Sequence, residues 1–407
     1  MLGSEEGLVG VSRIDLKVGG SVGGKRGSTG FLGCDFWLGG EVVVLMVVVD
    51  GGASGMGGCW CGFIEINSLT YTIHVPTLHL GSTCEAIVCT LGAARDRALS
   101  SFGEEKITKL VVYASDQTHS CVEKAAKRVG IPPRNFQVLA TTSNTDFAMS
   151  PKTLREAMDA DTAQELVPLY VCATIGTTPS GAVDPVNELG HVTSASGAWL
   201  HVDAAYAGSA CICPEYRHYL DGVELANSVS MNPHKWLLTN MDCTCLWLKN
   251  PTTLVECLSS KPEYLRNKAS ESGNVVDYKD WQISLSRRFR TLKLWIVLRQ
   301  YGSDYLMCHI RNGIELAEYL ESLIYKNDKF ELLVPRKFSL VCFRLKPQNG
   351  EDGVETNARN LKLLEALNSS GQAYMTHAVI GGAFAIRCAI GGVLTQIKSG
   401  ILMSSRC

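Results

Sequence analysis

The chain has 407 residues, with 38 basic and 40 acidic side chains and a formal net charge of −2. Hydrophobic residues make up 46% and charged residues 19%, a balance typical of a soluble globular protein with a large core. No basic excess indicates a nucleic-acid binder. The most apolar stretch, residues 42–49, is too short to span a bilayer. We therefore expect a cytoplasmic protein that binds neither nucleic acid nor membrane.

Residues 1–80 differ from the rest of the chain, because they are rich in Gly and Val and show little helical periodicity. Within them, residues 19–26 (GGSVGGKR) have the glycines and the lysine of a phosphate-binding P-loop. Arg26 stands where such a loop needs Ser or Thr to hold magnesium, and no clear strand precedes it. We treat residues 1–80 as a separate segment and keep a P-loop nucleotide binder as a weak alternative.

The 16 cysteines include three C-x-C pairs, Cys59/Cys61, Cys211/Cys213 and Cys243/Cys245. In a strand, two residues so spaced point to the same face and could bind a metal together. Many of the cysteines lie in apolar runs, however, which favours reduced thiols that serve as small core residues. The sequence therefore predicts no metal site.

From residue 81 onward, apolar strands alternate with helices. We predict helices at 84–100, 121–129 (ending at Gly130), from Ser150-Pro151, and at 184–195, and strands at 110–114, 136–140, 169–174, 198–203, 228–231 and 243–248. This alternation predicts an α/β fold with a mainly parallel sheet that is buried on both faces. Ligands of such sheets bind outside the carboxyl ends of the strands.

Polar residues cluster at those predicted strand ends. The segments are 80–86 (LGSTCEA), 113–120 (YASDQTHS), 174–178 (TIGTT), 201–207 (HVDAAYA) and 228–236 (SVSMNPHKW). Taken singly, each segment has an ordinary interpretation. In the same order, these are a Ser/Thr helix cap, a histidine with its hydrogen bonds made, a polar turn, an aspartate paired with a cation and a lysine in solvent. The first segment could also bind an anion, since a helix N-terminus presents free backbone N–H groups.

In combination, these segments resemble one family closely. HVDAAYAG, followed 32 residues after its Asp203 by the lysine of NPHKW, resembles the group II pyridoxal-phosphate decarboxylases. Within them the resemblance is to plant tyrosine, dopa and tryptophan decarboxylases and the related aldehyde synthases, over about residues 81–395. It implies a fold-type I enzyme with a large α/β domain (81–300) and a smaller C-terminal α+β domain (301–407). It also implies a homodimer with active sites at the interface.

The resemblance assigns roles in binding pyridoxal phosphate. Lys235 would carry the coenzyme covalently, and a desolvated site would favour the neutral amine that this requires. Asp203 would pair with the pyridine nitrogen, and His119 would stack on the ring. Six further residues would hold the phosphate or line the ring: Thr83, Cys84, Thr178, Ala205, Asn232 and His234.

Two more residues bear on the reaction and its substrate. Residues 261–272 (KPEYLRNKASES) resemble the family's mobile catalytic loop, in which Tyr264 would protonate the substrate carbon. Aldehyde synthases usually carry phenylalanine there. Ser286 stands where serine tends to accompany phenolic substrates and glycine indolic ones. The resemblance thus implies decarboxylation of tyrosine or dopa to the arylalkylamine and CO2.

The two ends of the chain depart from the family pattern. Only residues 27–33 faintly resemble the family's N-terminal region, and the sequence diverges again from about Gln396. Two alternatives therefore stay open. One is an aromatic aldehyde synthase on the same scaffold, and the other is a truncated, inactive homologue that binds the coenzyme.

Overall fold

The computed structural model describes residues 77–260, 262–272, 275–371, 373–398 and 401–404. The P-loop-like residues 19–26, the apolar run 42–49 and the Cys59/Cys61 pair lie outside the described residues. Within the described part, no helix combines the length and the apolar character that crossing a membrane requires.

A seven-stranded sheet forms the centre of the large domain. Its strands are β1 (Thr77–Leu80), β2 (Leu110–Ser115), β3 (Phe136–Leu139), β4 (Val167–Thr174), β5 (Trp199–Asp203), β6 (Ser228–Met231) and β7 (Thr244–Leu248), in the order β1-β7-β6-β5-β4-β2-β3. Strands β2 to β6 pair in parallel, whereas β7 is antiparallel to both β1 and β6. The predicted α/β fold with a mainly parallel sheet is confirmed. Strand β1 falls inside the segment 1–80 that the sequence set apart.

Helices cover both faces of this sheet. The helices of this part of the chain are α1 (Thr83–Phe102), α2 (Cys121–Arg128), α3 (Pro151–Ala163), α4 (Val186–Ser196), α5 (Pro233–Trp236), α6 (Thr252–Leu258) and α7 (Lys268–Glu271). Side chains of β2 alternate between two cores: Val112 and Ala114 pack with α1 and α2, while Val111 and Tyr113 pack with α3 and α4. Burial of both faces explains why these strands are apolar throughout.

The predicted elements agree with the observed ones to within two residues at each end. The residues predicted to start and end helices do so in the structure. Ser150 accepts a hydrogen bond from the backbone N–H of Thr153, and Pro151 occupies the first turn of α3. Gly130 follows α2 with a φ of +87°, a conformation that glycine adopts without strain.

The smaller domain begins within a long helix. Its elements are α8 (Arg290–Tyr325), β8 (Phe330–Leu332), β9 (Leu340–Leu345), α9 (Gly353–Ser369), β10 (Thr376–Ile380), β11 (Ala383–Ala389), β12 (Thr395–Lys398) and β13 (Ile401–Ser404). Gly302 interrupts α8 with non-helical angles. Strands β8 to β11 form an antiparallel sheet in the order β10-β11-β9-β8, and α9 packs on it. This confirms the expected α+β character.

Candidate active site

Three strand ends align at one edge of the large sheet. Thr174 of β4 is in register with Asp203 of β5, which in turn is in register with Ser230 of β6. The backbone N–H of Ile175 donates to the carbonyl of Asp203 at 2.9 Å, and that of Asn232 donates to the carbonyl of Ala205 at 3.2 Å. The polar segments that follow these strands are therefore held side by side.

Asp203 is a buried carboxylate at this edge, with 4% of its surface exposed. Its Oδ1 accepts a hydrogen bond from the backbone N–H of Ala205 at 2.9 Å. The other oxygen has no hydrogen-bond partner among the residues that the structure describes. Burial raises the pKa of Asp203, and the positive charge of Lys235 and the imidazole of His119 act in the opposite direction. The carboxylate of Asp203 thus interacts electrostatically with Lys235 and His119, two of the other residues expected to bind the coenzyme.

Lys235 lies in the short helix α5, directly after β6. Its backbone N–H donates to the carbonyl of Asn232 at 2.9 Å, which fixes the turn between strand and helix. The side chain is exposed and borders a cavity of about 320 Å³ that Thr178 also lines. The neighbouring Trp236 stacks on Tyr206, with ring centroids 5.1 Å apart. The amine therefore borders an open space that these two stacked rings also line.

His119 follows β2 and stands at the start of α2. Its Nδ1 accepts a hydrogen bond from the backbone N–H of Cys121 at 3.1 Å. His119 is exposed on one side only, and its partial burial lowers the pKa of the imidazole; the carboxylate of Asp203 opposes this decrease and Lys235 adds to it. The neutral imidazole is favoured, and a neutral ring can stack on a flat ligand without bringing a charge.

The N-terminus of α1 is joined to the turn that carries Lys235. Thr83 donates through Oγ1 to Oδ1 of Asn232 at 2.8 Å, and Thr244 donates to the same oxygen at 2.7 Å. The Nδ1 of His234 lies 2.6 Å from the carbonyl oxygen of Cys243 and 3.1 Å from the backbone nitrogen of the same residue. Cys84, the second residue of α1, has an exposed side chain. The free N–H groups of this helix start suit an anion.

Tyr264 and Ser286 do not line the cavity. Tyr264 belongs to a single 3-10 turn, Glu263–Leu265, and 81% of its surface is exposed. Ser286 is also exposed, and its carbonyl accepts a hydrogen bond from the side chain of Gln282 at 3.1 Å. Of the residues expected to bind the coenzyme, only Lys235 and Thr178 line the cavity. Most of the others are linked to one another by the hydrogen bonds and charge interactions described above, and no such link is described for Tyr264 or Ser286.

Part of the cavity wall comes from the small domain, which the sequence analysis missed. Arg387 of β11 lines the cavity, and its Nε is buried without a hydrogen-bond partner. Ser339 lies nearby and hydrogen-bonds to the hydroxyl of Tyr206 at 2.8 Å. One signal was available, since an arginine inside the apolar strand AFAIRCA is costly unless a partner or ligand meets its charge.

Gly176 allows the turn after β4 to approach the turn after β5. Its φ is +82°, and an added Cβ would lie 2.6 Å from the Cβ of Ala207. We expect Gly176→Ala to lower the free energy of unfolding by about 2–4 kcal/mol, because backbone strain and overpacking add. Urea unfolding followed by circular dichroism measures this loss.

Gly197 provides the matched control. It has a similar φ of +74°, but nothing lies within 4 Å of an added Cβ. Gly197→Ala should therefore cost only the backbone strain, about 1–2 kcal/mol. Equal losses in the two variants would show that the close approach at Gly176 does not constrain the site.

Comparison with known proteins places this arrangement in a family. Residues 74–346 match the model of the pyridoxal-dependent decarboxylase conserved domain. Phenylacetaldehyde synthase of a Rosa hybrid cultivar is 58% identical over 324 residues, which cover 78% of this chain and 64% of that protein. Tyrosine/DOPA decarboxylase 5 of Papaver somniferum is 54% identical over 329 residues, which cover 78% of this chain and 63% of that protein.

A solved structure agrees with these matches. The crystal structure of Oryza sativa TDC with PLP and tryptamine has a TM-score of 0.76 and 49% sequence identity, over 78% of this chain and 66% of that chain. The chain thus spans about 64% of the length of the curated relative described first. The conserved domain covers well over half of the sequence and the identities far exceed those of unrelated proteins. The chain therefore belongs to the pyridoxal-dependent decarboxylase family.

Proposed function

We propose that this chain binds pyridoxal phosphate through Lys235 and decarboxylates an aromatic L-amino acid, tyrosine or dopa in the first place, to the arylalkylamine and CO2. One observation carries the proposal. Asp203 ends β5, Lys235 follows β6 and His119 follows β2, so the three residues come to the carboxyl edge of one sheet. There the charge of Lys235 and the imidazole of His119 act on the buried carboxylate of Asp203. An amine, a buried carboxylate and a flat neutral ring are the groups that this coenzyme needs.

The residues at this edge fit the coenzyme. The unpartnered oxygen of Asp203 can accept a hydrogen bond from a protonated ring nitrogen and so keep that proton in place. Bound pyridoxal phosphate supplies an electron-accepting ring, which stabilises the charge left when CO2 departs. The start of α1, with Thr83, Cys84 and the bonded Asn232, is suited to a phosphate. His234, Thr178 and Ala205 complete the proposed binding set.

The residues proposed to act on the substrate are Tyr264 and Ser286. The Tyr264 hydroxyl would donate a proton to the α-carbon after CO2 leaves, which requires its exposed turn to reach the cavity. Ser286 would hydrogen-bond the phenol of tyrosine or dopa. Both assignments come from the resemblance and stay predictions.

A homodimer is the proposed assembly. Large apolar side chains are exposed along one stretch of the chain: Val275, Val276, Ile283, Leu285, Phe289, Leu292, Ile296, Tyr301 and Tyr305. A run of exposed apolar residues of this size is typical of a surface that a partner covers. The same stretch contains Ser286, which supports a substrate pocket near the interface. A cytoplasmic location likewise stays a prediction.

An aromatic aldehyde synthase is the second candidate, because the Rosa relative with 58% identity bears that name. The phenolic hydroxyl of Tyr264 favours the decarboxylase, since a proton donor leads to the amine. An inactive homologue that binds the coenzyme is the third candidate.

Product analysis separates the three candidates. The purified chain is incubated with pyridoxal phosphate and then with tyrosine, dopa or tryptophan. We expect amine and CO2, formed fastest from tyrosine or dopa. Aldehyde with ammonia and hydrogen peroxide would favour the synthase, and coenzyme uptake with no turnover would favour the inactive homologue.

A further inference from the structure

Two cysteines and one histidine meet where the start of α1 approaches the start of α2. They are Cys84 near the start of α1, Cys121 at the start of α2, and His119, two residues before Cys121. One ligand atom from each, a thiol sulfur or an imidazole nitrogen, lies within 4.8 Å of the others. Neither described C-x-C pair belongs to this cluster.

The spacing of the three atoms suits a thiophilic metal ion. Zinc binds thiolate at about 2.3 Å and imidazole at about 2.0–2.1 Å, so ligand atoms around a tetrahedral ion are about 3.5–3.8 Å apart. From separations of at most 4.8 Å, side-chain movements of about 1 Å close the site. Cys84 and His119 are exposed, which leaves one side open for a water as fourth ligand. Two thiolates and an imidazole are a common zinc ligand set.

We propose that Cys84, His119 and Cys121 bind a thiophilic divalent cation, with Zn²⁺ as the physiological example, and that the bound cation excludes pyridoxal phosphate. The thiols of Cys84 and Cys121 each release one proton as the ion binds, so the two positive charges of the ion replace those of two protons. The proposal that the cation excludes pyridoxal phosphate rests on the proposed function, because Cys84 and His119 also belong to the proposed coenzyme site. A ring fixed to the metal is not available to stack on the coenzyme.

Binding of the ion requires a small rearrangement. The Nδ1 of His119 accepts the backbone N–H of Cys121, and coordination through this nitrogen replaces that bond. The N–H lies in the first turn of α2, where water can take the place of the lost acceptor because His119 is exposed. One neutral hydrogen bond is weak compared with two metal–thiolate bonds, so the cluster favours the ion.

A cadmium titration tests the site without relying on activity. The full chain is freed of coenzyme, and Cd²⁺ is added while the sulfur-to-cadmium charge-transfer absorbance is followed. We expect one tight equivalent in the wild type and a loss of affinity of at least about tenfold in Cys121→Ala. Cys84→Ala, a change at an exposed side chain that leaves the core intact, should lose affinity as well.

Cys308 supplies the matched control, since it is an exposed cysteine of α8 outside the cluster. Cys308→Ala should bind Cd²⁺ as the wild type does. Equal cadmium binding by Cys121→Ala, Cys84→Ala and Cys308→Ala would overturn the cation site.

The exclusion is tested by coenzyme uptake. Zn²⁺ added before pyridoxal phosphate should suppress the absorbance of bound coenzyme in the wild type and in Cys308→Ala, but not in Cys121→Ala. A chelator should restore uptake. Uptake that saturating Zn²⁺ leaves unchanged in the wild type, or lowers equally in Cys121→Ala, would refute the exclusion. A chain that binds Cd²⁺ tightly but never takes up coenzyme would refute the proposed function and the exclusion, and would still support the cation site.

Discussion

Lys235→Ala should give a folded protein that lacks the absorbance band of bound pyridoxal phosphate and forms amine at least about 1,000-fold more slowly. Among the described residues that line the cavity, Lys235 alone carries an amine. Its side chain is exposed, so its removal costs little packing. Absorbance spectra after gel filtration with coenzyme, together with amine quantification, measure both effects.

Two controls distinguish the covalent role of the Lys235 amine from the electrostatic role of its positive charge. Lys235→Arg keeps a positive charge beside Asp203 but cannot form the covalent link, so it should lose the band as well. Lys152→Ala removes an exposed lysine from α3 and should behave as the wild type. A Lys235→Arg protein that retained the band and the activity would reduce Lys235 to an electrostatic role.

Much of the large domain could be predicted because its local and tertiary signals agree. The apolar runs that become β4 and β5 are buried on both faces, and α3, which precedes β4, carries a clear N-cap at Ser150. Strand β1 was missed because residues 77–80 follow a stretch of sequence that is rich in Gly and Val and shows little periodicity. Its place in the sheet depends on pairing with β7, more than 160 residues later. No local pattern reveals such a partner.

The shared position of the residues proposed to bind the coenzyme was predictable for a topological reason. Residues at the carboxyl ends of adjacent parallel strands must share an edge, so Asp203 and Lys235 could be placed together from their positions after β5 and β6. Arg387 could not be placed, because the small domain reaches the cavity only through its packing on the large one. The cluster of Cys84 with Cys121 was missed for a similar reason, since it depends on how two helix starts approach each other.

Tyr264→Phe should reduce amine formation from tyrosine or dopa by about 10²–10⁴-fold, the usual contribution of a positioned acid. Without the hydroxyl, the α-carbon is not protonated promptly after CO2 leaves. Reaction with O2 and water then yields aldehyde, ammonia and hydrogen peroxide. Because the side chain is 81% exposed, the free energy of unfolding should change by less than about 0.5 kcal/mol. The measurement is the ratio of amine to aldehyde, with peroxide assayed in parallel.

Tyr374→Phe is the control for this substitution, because Tyr374 is 83% exposed and lies in the small domain. Its amine-to-aldehyde ratio should equal that of the wild type. If Tyr264→Phe also keeps the wild-type ratio and rate, the hydroxyl does not deliver the proton, and another group must do so. If the wild type itself forms aldehyde, the tyrosine does not determine the product. If the amine-to-aldehyde ratio changes in Tyr264→Phe and not in Tyr374→Phe, the Tyr264 hydroxyl must reach the substrate. The exposed turn Glu263–Leu265 must then close over the cavity during the reaction.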